Sequence, residues 1–377
     1  MLRPIGYYIK KEYNAMIAED KNSGSFYCNL KVYKEHMQIP PPWPLISGSG
    51  SITENIGTFV EHHIHDEATK HETYLQDTPD FLRIIERINK GKKLHPKTKA
   101  VTMDVIGLFT NIIHEEGLAS LNNVLDKRVD PKVPKNFLIK LMNIILKKNI
   151  FQFHDQLWKQ EIGAAMGGRP VPSYANIFMA EIDQIIKSLG SQYNKENCEA
   201  LRLLKRFLDD YFMLFVGSTK ELHSFLDEVN KINPSIQLTM NHTTDENEDP
   251  EERCNCEEKN AVPFLDTLVS IKDGKIEVDL YKKETDRNQY LLPSSCHNRT
   301  VTNSIPFSLS LRIVRICTDP TKRDQRLSEL KNHLLERGYL ENKIDSYINK
   351  ARAIPRHKAL RKVKVSKKAE GPVFVIT

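Results

Sequence analysis

The stretch KRFLDDYFMLF, residues 205–215, places two adjacent carboxylates in a run that is otherwise rich in aromatic and aliphatic side chains. The apolar residues on either side of Asp209 and Asp210 predict a strand, a turn and a second strand. Moving a charged pair out of water costs free energy unless another group neutralises the charge. The stretch therefore predicts a hairpin whose two acids face a neutralising partner.

The composition is that of a globular protein. The chain has 377 residues, 40% hydrophobic and 28% charged, which is enough for two or three packed subdomains. No segment approaches the roughly 18 uncharged apolar residues of a membrane span, and the N-terminus lacks the features of a signal peptide. Six irregularly spaced cysteines predict a reducing, intracellular location rather than a disulfide framework.

The order of sequence patterns predicts an α+β fold with a helical appendage. Strand-like runs alternate with helical patterns through the middle of the chain, and helices are predicted at 304–318, 320–336 and 341–353. Residues 40–51, PPPWPLISGSGS, predict a loop. Residues 350–368 carry lysine and arginine without any acid, which indicates either a surface for polyanions or a solvated tail.

A third acid, Asp104, is predicted to be buried in the strand-like run AVTMDVIGLF, residues 100–109. Any one of these aspartates alone indicates a strand-end cap or an ion pair, for instance with Arg206. Three of them, delivered by two strands, predict a site for Mg²⁺, which prefers carboxylate oxygens. Two such ions about 4 Å apart can activate an attacking 3′-oxygen and stabilise a leaving pyrophosphate.

The residues between the acids are compatible with this chemistry. Phe109 either packs in the core or presses on the sugar of an incoming nucleotide and excludes a 2′-hydroxyl. The glycines of GAAMGGRPVPS, residues 163–173, allow a backbone to approach a flat base pair without a side-chain clash.

Three ordered motifs, at residues 101–112, 163–179 and 206–214, resemble those of reverse transcriptases. The stretches SGSGSITENIGTFVEHH, YLQDTPDFL, VPFLDTLVSI and RLSELKNHLLERGY resemble, more narrowly, the Penelope-like retroelement branch, which is related to telomerase reverse transcriptase. The resemblance extends over residues 25–377. It implies a right-hand polymerase fold with partial fingers at 1–95, an RRM-like palm at 96–285, a helical thumb at 300–355 and a basic tail or connector at 356–377.

The resemblance also implies a function. It implies an RNA-directed DNA polymerase with two Mg²⁺ ions, for which Mn²⁺ can substitute, acting in the nucleus on deoxynucleoside triphosphates and a primed RNA or DNA template. Residue roles carried over from the family are metal binding by Asp104 and Asp209, a third acid at Asp210, a sugar gate at Phe109, template contact by Gly167 and Gly168, triphosphate contact by Lys31, and a primer grip at Phe264, Leu265 and Asp266.

The sequence departs from the family pattern at several positions. Trp43 precedes Pro44 where the family has an arginine, which predicts weakened nucleotide binding because a bidentate cation is missing. No lysine follows the second palm helix, so His242 is either a substitute proton donor or an ordinary loop histidine. The last residues resemble the connector to a GIY-YIG endonuclease, so a polymerase core truncated at both ends is predicted.

Two other functions compete with the polymerase. A catalytically impaired nucleic-acid-binding remnant, or a co-opted scaffold, would account for the altered fingers but has no need of the three acids. A two-metal nuclease would account for the acids but not for Phe109 or the primer-grip resemblance.

Overall fold

A computed structural model of the chain describes residues 16–17, 22–30, 40–129, 133–193, 201–244 and 259–361, apart from the side chain of Arg202. Within these residues the strands are β1 (Gly24–Leu30), β2 (Pro42–Ser47), β3 (Thr98–Val105), β4 (Ile150–Phe153), β5 (Gln156–Lys159), β6 (Leu201–Phe207), β7 (Asp210–Val216), β8 (Leu238–His242), β9 (Val262–Phe264), β10 (Thr267–Lys272) and β11 (Lys275–Leu280).

Within the same described residues, helices occur both between the strands and, as a group, at the C-terminal end of the chain. They are α1 (Glu54–Ala68), α2 (Thr78–Asn89), α3 (Leu108–Asn111), α4 (His114–Asp126), α5 (Lys135–Lys147), α6 (Val171–Gln192), α7 (Thr219–Val229), α8 (Arg299–Ile316), α9 (Pro320–Glu336), α10 (Glu341–Arg352) and α11 (Arg356–Ala359). None of the described helices is both long and apolar enough to span a membrane.

The central sheet has four antiparallel strands in the order β6-β7-β3-β8. Successive side chains of β7 enter different cores, because a strand presents alternate residues to opposite faces. Met213 and Phe215 pack in the core formed with α1 and α4 to α7. Phe212 and Leu214 pack in the core on the other face. Burial on both faces explains why this strand is apolar at nearly every position.

The second core joins the central sheet to the C-terminal half of the chain. It includes residues of α2, of the three-stranded sheet β11-β10-β9, and of α8, α9 and α10. Phe81 lies at its centre, with its ring centroid 4.9 Å from both Phe212 and Phe264. The C-terminal helices are therefore packed against the central sheet through the hairpin sheet and α2.

A separate four-stranded sheet, the outer sheet, has the order β2-β1-β4-β5. The prediction of a loop over residues 40–51 is wrong for its first half, since Pro42–Ser47 forms β2. β2 is an edge strand, and an edge tolerates the missing N–H groups of Pro42 and Pro44. The prolines that suggested a loop are thus compatible with a strand at this position.

The predicted α+β class is confirmed, and the predicted C-terminal helices match α8, α9 and α10 to within a few residues at each end. At the start of α2 the cap is Asp77, whose carboxylate accepts a hydrogen bond from the backbone N–H of Asp80 at 2.7 Å. The division into fingers, palm, thumb and tail stays a prediction. Most of the predicted tail, residues 362–377, lies outside the described residues.

A glycine-rich segment, residues 163–168, connects β5 to α6 and contacts the segment that follows β3. Gly163 has φ +75°, and a Cβ atom there would lie 2.6 Å from the Thr110 carbonyl oxygen and 2.7 Å from that of Phe109. The backbone N–H of Ala164 donates to the Phe109 carbonyl at 2.7 Å. This close approach fixes the glycine-rich segment against the end of β3.

Replacing Gly163 by alanine is expected to lower the free energy of unfolding by about 2–5 kcal/mol, because left-handed strain and steric overlap add. Gly338→Ala is the matched control: Gly338 has φ +82° but no atom within 4 Å of its Cβ position. It should cost only about 1 kcal/mol of strain. Urea unfolding of both variants tests this, and equal losses would contradict the steric argument.

Candidate active site

The turn between β6 and β7 carries two of the predicted acids. Phe207 pairs with Asp210, so Leu208 and Asp209 form a two-residue connection, with Leu208 at φ +55°. Asp104 lies directly opposite Asp210 in the antiparallel register. The Val105 N–H also donates to the Asp209 carbonyl at 3.1 Å. The fold therefore brings the three acids, as predicted, to one end of the central sheet.

The acids differ in exposure and in charge environment. Asp104 is exposed, whereas Asp209 and Asp210 are half-buried, so the prediction that Asp104 is buried is wrong. Asp104 stands near the end of β3, where alternation directs it away from the core that receives Met103 and Val105. Burial, then the charges of Asp209 and Asp104, raise the pKa of Asp210 to about 7, against the opposing effect of Lys283.

The donor set of the acids is suited to Mg²⁺ or Mn²⁺. Among the described residues, no group of three or more His, Cys, Asp and Glu side chains is arranged so that it could hold a metal ion. Mg²⁺, however, is commonly held by one or two carboxylates and completed by water and substrate phosphates. Asp104 and Asp209 would provide such carboxylates. Burial is the largest cause of the raised pKa of Asp210, and repulsion by Asp209 and Asp104 adds to it; a bound cation would offset that repulsion.

A buried ion pair lies next to the turn between β6 and β7. The side chains of Arg206 and Asp183 are only 1% and 2% exposed, and Arg206 Nη2 lies 2.9 Å from Asp183 Oδ2. Arg206 also donates to the Asn176 side chain at 2.7 Å and to the Leu208 carbonyl at 3.0 Å. Tyr211 donates its hydroxyl to Asp183 at 2.6 Å. This network holds the backbone of the residue that immediately precedes Asp209.

Arg206 therefore pairs with an acid on α6. A sequence signal for this pairing exists. Asn176 and Asp183 are seven residues apart, two helical turns, so they lie on one face of α6. Two polar residues on the apolar face of a helix require a buried partner, and Arg206 satisfies both.

Asp183→Ala is expected to lower the free energy of unfolding by about 3–5 kcal/mol, because it leaves the Arg206 guanidinium buried without its counter-charge. Tyr211→Phe is the graded control and should cost about 1 kcal/mol, since it removes one hydrogen bond from the same carboxylate. Urea denaturation compares the two. If Asp183→Ala cost no more than Tyr211→Phe, the ion pair would not be the main constraint on the turn.

Phe109 and the glycine-rich segment contact each other just after β3. Phe109 lies in α3, is partly buried and packs against the core, while its carbonyl receives the Ala164 N–H. α3 begins after Gly107, whose φ of +61° turns the chain sharply at the end of β3. The predicted sugar gate thus lies five residues from Asp104 and contacts the glycine-rich segment.

Gly167 is required by a contact within the chain itself. Its φ is +118°, and a Cβ atom there would lie 2.4 Å from the Ile46 carbonyl oxygen of β2. The Ile46 N–H donates to the Met166 carbonyl at 3.0 Å. Gly168 has no such requirement, because the nearest atom to its Cβ position is the end of the Val171 side chain at 3.0 Å, and the Ala165 carbonyl oxygen is at an ordinary contact distance of 3.5 Å. Template contact by either glycine stays a prediction. Lys31 lies outside the described residues.

The three predicted primer-grip residues occupy the end of β9 and the turn that follows it. Phe264 is 3% exposed and belongs to the second core, so its side chain serves packing. Leu265 adopts φ +53° in the turn. Asp266 accepts hydrogen bonds from Thr78 at the start of α2 and from Arg312 Nε of α8, the latter at 2.8 Å. The turn therefore connects α2 to the C-terminal helices.

His242 is not a loop residue, and it does not lie beside the acids. It is the last residue of β8, is 5% exposed and pairs with Val101, whereas Asp104 pairs with Thr239 at the other end of the strand. Its ring lies 5.6 Å from that of His223. Both predictions for His242 are therefore wrong, because the strand continues past the point where the sequence suggests a loop.

Comparison with known protein families finds a match for one short region of the chain. The animal helix-turn-helix domain family matches residues 289–349, which contain α8, α9 and most of α10. No curated protein matches the sequence. The family match covers too little of the chain to describe the whole of it.

Several solved structures resemble the fold at very low sequence identity. Telomerase from Candida albicans, in complex with a TWJ fragment of telomeric RNA, has a TM-score of 0.60 and 8% identity, over 91% of this chain and 58% of that one. The Sicinivirus 3Dpol RNA-dependent RNA polymerase has a TM-score of 0.51 and 11% identity, over 90% and 71%. Telomerase from Candida tropicalis, with the same kind of RNA fragment, has a TM-score of 0.51 and 11% identity, over 90% and 64%.

The chain thus spans 58% of the length of the first of these structures. The likenesses establish a right-hand polymerase fold with an RRM-like palm, which confirms the predicted fold class. The narrower relationship to Penelope-like elements, and truncation at either end, stay predictions.

Proposed function

We propose that this right-hand polymerase fold is the core of an RNA-directed DNA polymerase that extends the 3′ end of a primer with deoxynucleotides. The observation that carries the proposal is the register of the central sheet, which places Asp104 opposite Asp210 and beside Asp209. Three carboxylates at one sheet end, within a polymerase fold, match the requirements of phosphoryl transfer assisted by two metal ions.

In this proposal each acid has a defined task. Asp104 and Asp209 hold two Mg²⁺ ions, for which Mn²⁺ can substitute. When bound, such ions supply activation of the primer hydroxyl and neutralisation of the departing pyrophosphate. Asp210, whose pKa is raised to about 7 mainly by burial, supports the pair from its half-buried position. The Arg206 network keeps Leu208 and the following acid in place without taking part in the chemistry.

The proposed substrates are inferred from residues other than the three acids. Phe109, five residues after Asp104, is proposed as the sugar gate, in which a bulky ring disfavours a ribose 2′-hydroxyl and selects deoxynucleoside triphosphates. The partners are a primer and an RNA or DNA template, held mainly through their backbones, as a polymerase that copies any sequence requires. The basic residues of the C-terminal helices and of residues 350–361 would contribute to that backbone contact.

Asp209→Ala is expected to reduce primer extension by on the order of a hundredfold or more, because a carboxylate that would hold a metal ion at the reacting centre is lost. The assay is extension of a labelled DNA primer on an RNA template with Mg²⁺, and then with Mn²⁺. Asp273→Asn, in the exposed turn between β10 and β11, is the matched control and should leave extension unchanged.

The same assay separates the polymerase from the competing functions. A wild-type protein that binds primed template but incorporates nothing with either metal would exclude the polymerase and favour a scaffold. Shortening of the primer instead of its extension would favour a nuclease.

Phe109→Ala is expected to lower the preference for deoxynucleotides over ribonucleotides by about tenfold or more, because an open space replaces the ring against the sugar. Single-nucleotide incorporation with each substrate at matched concentrations measures the preference. Phe153→Ala, an exposed ring on the outer sheet, is the control. An unchanged preference would assign Phe109 to core packing alone.

A further inference from the structure

One face of the outer sheet presents two exposed aromatic rings. The register of β1 and β2 sets Asn29 opposite Trp43 and Tyr27 opposite Leu45, so Tyr27 and Trp43 are diagonal neighbours on the same face. Their exposed fractions are 50% and 46%. Diagonal neighbours in an antiparallel pair are about 7–8 Å apart, which allows two rings to contact successive bases of an extended strand.

The Trp43 ring is fixed beside the glycine-rich segment. Its indole Nε1–H donates to Met166 Sδ at 3.0 Å, and the next residue, Gly167, packs against the backbone of β2. The segment is in turn bound to Phe109 through the Ala164 N–H. The exposed face therefore adjoins the candidate active site through one continuous set of contacts.

A cavity of about 320 Å³ lies between this face and the glycine-rich segment. The residues that line it include an aromatic residue, three serines, a glycine, one base and one acid: Tyr27, Ser47, Ser49, Ser51, Gly167, Arg169 and Glu54. Ring faces, hydroxyls, glycine backbone and a cation are the groups with which proteins bind single-stranded nucleic acid without reading its sequence.

Arg169 is the cation of this cavity, and among the described residues that line it no other is positively charged. Its side chain is 52% exposed, and the nearest oxygen of Glu54 lies 3.6 Å away, too far for a strong hydrogen bond. The other Glu54 oxygen accepts the Gly50 N–H at 2.7 Å and so orders the loop after β2. A single, weakly paired guanidinium suits one backbone phosphate better than a triphosphate.

We propose that this surface, formed by Tyr27, Trp43 and Arg169, binds the unpaired part of the template strand before it reaches the acids. The rings stack on two successive bases and Arg169 binds the phosphate between or beside them. The assignment of the strand as template rests on the proposed polymerase function, whereas its single-stranded character rests on the groups of the surface. Trp43 then has a binding role of its own at a position where a cation is absent.

The two tryptophans of the chain make a direct test possible. Trp158 lies on the opposite face of the outer sheet, because it pairs with Phe151, whose ring is 5.6 Å from that of Phe26. In a Trp158→Phe protein, Trp43 is the remaining fluorophore. A primed duplex with a 5′ template overhang of four nucleotides should quench Trp43 fluorescence, while a blunt duplex with the same paired region should not. Equal quenching by both would overturn the inference.

Affinity measurements with labelled nucleic acid provide the second arm. Tyr27→Ala and Trp43→Ala should each weaken binding of the overhang duplex by about tenfold, with little change for the blunt duplex. Trp43→Phe should retain most of the overhang affinity. Trp158→Ala is the matched control and should change neither. Arg169→Gln should lower the slope of log affinity against log salt by about 0.7, the contribution of one single-strand phosphate. Loss of affinity for both nucleic acids equally would also overturn the inference.

The outcomes distinguish this inference from the proposed function. An overhang preference that depends on Tyr27 and Trp43, in a protein without primer extension, would support the binding surface and reject the polymerase. Primer extension by a protein that has neither an overhang preference nor overhang-specific quenching would support the polymerase and reject the surface.

Discussion

The buried pair of Arg206 and Asp183 is the interaction on which the rest of the site depends. Arg206 lies on β6, the strand that leads into the turn with Asp209, and its guanidinium donates to the Leu208 carbonyl within that turn. Asp183 belongs to α6, so the pair fixes the long helix against the central sheet. A charge can be buried this deeply only when all its donors are satisfied, and here Asp183, Asn176 and Leu208 accept them.

The glycine-rich segment connects α6 to the outer sheet. The glycine-rich segment at the start of the helix is held to Phe109 on one side and to Ile46 of β2 on the other. Both contacts require backbone atoms to approach where a Cβ would overlap, at Gly163 and Gly167. The position of the outer sheet, and of Trp43 on it, is therefore coupled to the segment that flanks the acids.

Much of the architecture was predictable because local patterns and tertiary packing agree. The apolar run around Asp209 and Asp210 predicts the hairpin, and its continuous hydrophobicity has a cause in cores on both faces. The errors occur where packing overrides a local pattern. Residues 42–47 form an edge strand despite their prolines, and His242 continues a strand past its expected end. Asp104 is exposed because strand alternation, not the hydrophobicity of its neighbours, sets its direction.

The α+β class, the order of the helices and strands, and the candidate acids could be predicted from the amino-acid sequence, because these depend on residue type and on short-range periodicity. Which groups meet became clear from the packing of the folded chain: Arg206 binds Asp183, Asp104 lies opposite Asp210 on the neighbouring strand, and Gly167 contacts β2. These pairings join residues far apart in the chain. They are set by strand register and close packing, and a local sequence pattern specifies neither.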